Sequence, residues 1–215
     1  MRSRGGNVRI KASRQELLAA NVLLEESLAR SGLDLPALFG NGLPAEIEIG
    51  PGKGAFLLER AAERPELNLL GLEWLRSYAW YAADRARRAG LSNVRLLCAD
   101  AAAVFRSALP AGSVQRVHVY FPDPWPKRKH RRRRLLTAPF LSEVRRALRL
   151  GGWLGVVTDH AEYFRFIRGA LTAVPGLAEI PFQSCSAGSL TASNFERKYA
   201  AGGRPFFAVA AIRHG

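Results

Sequence analysis

Acid is in short supply in this chain: 18 Asp and Glu face 32 Lys and Arg, a formal net charge of +14. Cysteine is scarcer still, with Cys98 and Cys185 far apart and no Cys-x-x-Cys spacing. That excludes a disulfide framework and a zinc site of the usual spacing, no metal is indicated, and a reducing cytosol is the expected compartment. No run approaches the ~18 apolar residues of a membrane span. The Arg-rich start lacks the apolar core of a signal peptide. A cytoplasmic protein without membrane contact is therefore expected.

The charge excess gives a pI of about 10.9. Residues 127–134 hold seven Lys and Arg and no acid, but taking them away still leaves +7. A positive field spread this widely favours a polyanionic partner such as nucleic acid over a merely solvated basic surface. Hydrophobic content of 48% and mean hydropathy of −0.07 describe a globular chain with a substantial core. Its 215 residues suit one large α/β domain better than two.

Residues 1–12 are basic and contain glycine, so a mobile arm is expected there. Ser13 with Glu16 three residues on forms a capping box ahead of a helical face of Leu17, Leu18, Val22 and Leu28. Gly40-Asn41-Gly42 closes this leader, which makes residues 1–44 an appendage packed on a main domain of residues 45–215. From Ala45 strand and helix alternate. Strands are predicted at 45–49, 68–72, 93–98, 114–120, 153–158, 178–182 and 205–212, with helices near 54–63, 75–89, 101–108, 136–149 and 160–174. This pattern predicts an α/β, Rossmann-like fold: a seven-stranded, mostly parallel sheet with helices on both faces. Residues 183–204 carry no helix signal, so the last strand is expected to enter antiparallel.

The central feature is Tyr120-Phe121-Pro122-Asp123-Pro124-Trp125-Pro126-Lys127, followed by Arg128 to Arg134. Three prolines in five residues fix φ and remove three backbone donors, holding one carboxylate and one indole in a rigid turn. Trp125 either stacks on a base or packs as a lid. Upstream, Glu48-Ile49-Gly50-Pro51-Gly52-Lys53-Gly54 ends the first strand and opens a helix. Such a loop serves a dinucleotide or S-adenosylmethionine, and Glu73 at the end of the second strand could take ribose hydroxyls in either case. Glu48 tips the balance: its carboxylate opposes a diphosphate and suits a cationic amino acid end. Asp100 follows the third strand, where it can accept from an adenine amino group or cap the next helix. Asp159, after the fifth strand, is a helix cap or a reader of a guanine edge. Glu196 in Ser193-Asn194-Phe195-Glu196 is a surface ion pair or a ligand-facing acid. His118, inside the fourth strand, reads as a satisfied core histidine.

Together these residues resemble the bacterial tRNA (guanine-N7-)-methyltransferases, over about residues 45–215. The motif Phe121-Pro122-Asp123-Pro124-Trp125-x-Lys127 with its basic run is specific to that family. The resemblance implies a class I S-adenosylmethionine-dependent enzyme acting on a guanine of the tRNA variable loop, usually position forty-six. It implies cofactor contacts at Glu48, Gly50, Gly52, Gly54, Glu73, Asp100 and Asp123, with Asp123 also catalytic. Lys127, Asp159, Ser193, Asn194, Phe195 and Glu196 match substrate-binding positions. Lys129, His130, Arg131, Arg132, Arg133 and Arg134 match the RNA-contacting stretch. Ser193 departs from the family's usual Thr, keeping the hydroxyl and losing the methyl. Monomer and homodimer both remain open. The rivals are a methyltransferase for another RNA nucleobase, a non-catalytic RNA-binding protein of the same fold, and a nicotinamide oxidoreductase.

Overall fold

The computed structural model describes residues 8–183 and 205–215. Seven strands form one sheet, with residues 94–98, 68–73, 45–49, 114–120, 148–158, 207–213 and 177–180 side by side in that order, and helices around it. The chain divides into two compact units, one up to Ala108 and one from Leu109.

In the first unit, α1 (Arg14–Ala19), α2 (Leu28–Ser31) and α3 (Leu35–Phe39) precede β1 (Ala45–Ile49). The capping box on α1 is formed: Ser13 N donates to Glu16 Oε2 at 2.7 Å and Glu16 N to Ser13 Oγ at 3.2 Å. Then follow α4 (Ala55–Glu63), β2 (Asn68–Glu73), α5 (Arg76–Arg88), β3 (Val94–Cys98) and α6 (Ala101–Ser107). The strands β1, β2 and β3 pair parallel. All of β1 and β2 is buried, with no polar-outward alternation, because both faces of a parallel sheet are covered.

The leader contributes to this unit's core. Leu17, Val22 and Leu23 pack in one cluster with Leu57, Leu58, Ala82 and Ala83. Leu96 N donates to Val22 O and Leu24 N to Leu96 O, both at 2.8 Å, so the leader covers backbone groups along β3. Opposite charges are buried here too. Arg60 grips Glu46 through Nε and Nη2 at 3.0 and 2.9 Å, with side chains 4% and 0% exposed.

The second unit contains β4 (Val114–Tyr120), a 3-10 helix (Arg128–Arg133), α7 (Ala138–Ala147), β5 (Leu148–Thr158), α8 (Ala161–Thr172), β6 (Leu177–Ile180) and β7 (Phe207–Arg213). β4 and β5 run parallel, and β7 is antiparallel to both β5 and β6. The antiparallel last strand matches the expectation. β5 starts five residues earlier than its hydrophobic run at 153–158 suggests. Its exposed segment Arg149-Leu150-Gly151 lies beside a register shift between Val114 and Arg116 and breaks the buried hydrophobic run.

Candidate active site

The first unit presents the glycine loop at the carboxyl end of β1. Gly50, Gly52 and Gly54 have φ of 72°, 55° and 74°, the left-handed region that side chains disfavour. A Cβ on Gly50 or Gly52 would meet nothing within 4 Å, so these two backbones face open space. A Cβ on Gly54 would lie 3.0 Å from Ala82 Cβ, so the third glycine serves the packing of α4 on α5.

Glu48 is 4% exposed and its Oε2 is buried without a hydrogen-bond partner. Burial first, then the neighbouring Glu73 charge, pushes its carboxyl up to about 8. The Leu57 backbone N–H opposes that shift only in part, and Oε2 is left without a cation or a donor. Glu73, 6% exposed, accepts from Gly52 N at 2.9 Å through Oε2 and from Leu75 N at 2.8 Å through Oε1. It therefore braces the loop, a role invisible in sequence. Asp100 is exposed and caps α6, accepting from Ala102 N at 2.9 Å. Trp74, absent from the sequence expectations, follows Glu73 with 70% of its surface exposed. Its place directly after an acid at a strand's carboxyl end is the signal that could have found it.

The second unit carries the proline-fenced turn. Phe121 and Trp125 both adopt positive φ, 53° and 42°, on either side of an exposed Asp123. Conformers of this kind cost on the order of 1–3 kcal/mol each and persist where the surroundings over-determine them. Phe121 N donates to Val157 O at 2.7 Å. Trp125 is half-buried, with the Arg133 guanidinium 4.9 Å from its ring centroid and His130 edge-on at 5.8 Å. The indole thus packs on the basic helix.

Lys127, Arg128, Lys129, Arg131, Arg132 and Arg133 are exposed. His130 is held below its ordinary value by desolvation, then by Arg133 and Lys129. Arg134, expected with the RNA-contacting cations, differs from them. It is 3% exposed, donates from Nε to Pro124 O at 2.9 Å and from Nη1 to Glu162 Oε1 at 3.1 Å, and Nη2 bonds Glu162 Oε2. Its guanidinium also lies over Tyr163 and Phe166, at 4.9 and 5.0 Å from their centroids. Membership of a cationic run does not reveal this. Burial follows from the aromatic pair on α8, far along the chain.

Asp159 is half-buried at the end of β5. The capping role weighed for it falls to His160, whose Nδ1 accepts from Tyr163 N at 3.2 Å. His118 is fully buried with Nδ1 2.9 Å from Tyr120 Oη, the satisfied core histidine expected. Ser193, Asn194, Phe195 and Glu196, together with Cys185, lie outside the described residues. Among the described residues no cluster of three or more His, Cys, Asp or Glu could hold a metal ion, and no helix is long and apolar enough to cross a membrane.

Known proteins bear on this geometry. The family model described as "Putative methyltransferase" matches residues 43–209. The tRNA (guanine-N(7)-)-methyltransferase of Alkalilimnicola ehrlichii is 38% identical over 85% of this chain and 78% of its own length. The proteins of the same name from Aliivibrio fischeri and Rhodopirellula baltica are 39% and 40% identical over 69% and 72% of this chain. In both, the match spans 62% of the relative, so this chain covers less than two thirds of their length. Solved structures share the fold: the 16S rRNA methyltransferase KamB has a TM-score of 0.59 at 14% identity, covering 98% of each chain. The antibiotic-resistance methyltransferase Kmr has a TM-score of 0.56 at 19% identity, covering 98% of this chain and 97% of its own. With these relatives at this coverage, the chain belongs to the tRNA (guanine-N(7)-)-methyltransferase family.

Proposed function

We propose that this protein transfers a methyl group from S-adenosylmethionine to N7 of a guanine in tRNA, at position forty-six of the variable loop, in the cytoplasm. The observation that carries the reading is Asp123: an exposed carboxylate on a rigid, strained turn, followed at once by six exposed cations.

The residues of the first unit fit the cofactor. Glu48 offers a buried, unpartnered carboxyl oxygen to a cationic amino acid end, and Gly50 and Gly52 leave the space a ligand backbone needs. Glu73 would hold the ribose, Asp100 the adenine amino group, and the exposed Trp74 an adenine face. When bound, S-adenosylmethionine supplies an electrophilic methyl on a sulfonium, so guanine N7 can accept it through its free lone pair. No strong base is needed for that. The protein's task is placement and charge. Asp123 orients the guanine and offsets the positive charge that arises on the purine. Asp159 and Glu196 hold its N1–H and 2-amino edge, and Lys127, Ser193, Asn194 and Phe195 serve as further substrate-binding residues. Lys129 to Arg133 neutralise phosphates.

The test is incubation with labelled S-adenosylmethionine and bulk tRNA, followed by mass spectrometry of the nucleosides and mapping of the site. 7-Methylguanosine in the variable loop is expected. Label on another base, or on ribosomal RNA in preference to tRNA, would overturn the reading.

A further inference from the structure

We propose that Arg134 is a positioning residue that locks the Asp123 turn in its working shape, and not a tRNA contact. Its kinetic consequence rests on the methyl-transfer reading above; its structural consequence does not.

The prolines stiffen φ within the turn but leave it short of backbone hydrogen bonds to its surroundings. Pro122, Pro124 and Pro126 have no backbone N–H, so three donors that could brace it are missing. Phe121 and Trp125 nonetheless keep positive φ on both sides of Asp123. Hydrogen bonds from outside fasten the backbone of the segment. Phe121 N bonds to Val157 O at 2.7 Å, which fixes the entry. Arg134 Nε bonds to Pro124 O at 2.9 Å, which fixes the carbonyl directly after Asp123.

Arg134 can do this because it is itself immobilised. Both of its terminal nitrogens bond the two oxygens of Glu162, and its flat face lies over Tyr163 and Phe166. The Glu162 carboxyl is held below its ordinary value, first by the Arg134 hydrogen bond. Arg131 faces the same carboxylate at 3.5 Å, while Tyr163 is fully buried and anchors α8. The guanidinium therefore ties the turn to α8 through three directed bonds. A planar fork is required for that, and a lysine ammonium cannot reproduce it. Because the side chain is 1% exposed, it has no face left for a phosphate.

The experiment compares wild type, Arg134→Lys and Glu162→Gln. Hydrogen exchange by mass spectrometry reads the turn through the Phe121 amide, bonded to Val157 O, against the amides of β1 and β2. Exchange at the turn should rise at least tenfold in both variants, with β1 and β2 unchanged. In steady-state methylation of tRNA, kcat should fall at least tenfold for Arg134→Lys while KM for tRNA stays within about twofold. The slope of log affinity for tRNA against log salt should match wild type. Arg132→Ala, by contrast, should lose about 0.7–0.9 of that slope, as a phosphate contact does. Unchanged exchange at the turn, or a reduced salt slope for Arg134→Lys, overturns the proposal. If Arg134→Lys does not fold, Glu162→Gln decides it by the same readouts. If wild type fails to methylate tRNA, the functional reading falls while hydrogen exchange still judges the clamp.

Discussion

Glu48 and Glu73 place two buried carboxyls, 4% and 6% exposed, toward the carboxyl ends of the paired parallel strands β1 and β2. Glu73 is satisfied by backbone amides of Gly52 and Leu75, whereas Glu48 Oε2 has no partner. Between pH 4.5 and about 8 the native state keeps a proton on Glu48 that the unfolded chain has released. Stability therefore falls as pH rises through that window, by up to about 5 kcal/mol if the full shift is expressed. Glu48→Gln should raise stability relative to wild type at pH 8 and change it little near pH 4, read by urea unfolding at the two pH values. The same variant should bind S-adenosylmethionine at least tenfold more weakly by calorimetry. Equal urea midpoints for variant and wild type at pH 8 would contradict the assignment.

The three glycines should separate by function. Gly52→Ala strains a residue at φ 55° and fills open space, so cofactor affinity should fall at least tenfold. Its stability loss should stay near the ~1–2 kcal/mol of a left-handed alanine. Gly54→Ala adds a 3.0 Å approach to Ala82 Cβ, so its loss should be larger, about 2–4 kcal/mol. Calorimetric titration and denaturant melts on both variants check the ordering. Identical profiles would show that the loop does not divide in this way.

Asp123→Asn keeps the shape of the turn and removes its charge. Turnover should drop about a hundredfold, in the range seen when one transition-state contact is lost. S-adenosylmethionine affinity should stay within about twofold. Single-turnover methylation of tRNA beside cofactor calorimetry measures both, and a wild-type rate would refute the role given to Asp123.

Arg60 and Glu46 form a buried, two-bond ion pair. Arg60→Leu leaves a carboxylate buried without its cation and should cost about 3–5 kcal/mol. Replacing both residues by leucine should recover most of that loss, as a double-mutant cycle in urea will show. Additive losses would mean the pair is not coupled.

Much of this architecture is legible in the chain itself. The strand–helix alternation after Ala45, the Ser13–Glu16 box and the proline-fenced turn are local patterns, and local sterics and hydrogen bonds realise them in place. β5 is the instructive miss. Three exposed residues, Arg149 to Gly151, interrupt its buried positions, so no continuous hydrophobic run marks its start, and neighbouring strands set where pairing begins. Trp74 was missed for a related reason: one exposed aromatic has no period. Asp159 looked like a cap because it stands before a helix, yet His160 takes that place.

The sequence by itself determined the family, the glycine loop, and the run of charge behind Asp123, because each is a matter of residue type and spacing. Tertiary structure alone decided which charged groups are buried and what holds them. Arg134 sits among seven cations in sequence, but Tyr163, Phe166 and Glu162 bury it and turn it toward Pro124 O. Burial depends on what arrives from α8, nearly thirty residues on, and no local pattern carries that information. The rigid corner around Asp123 is thus written locally by its prolines and fastened from a distance by one buried guanidinium.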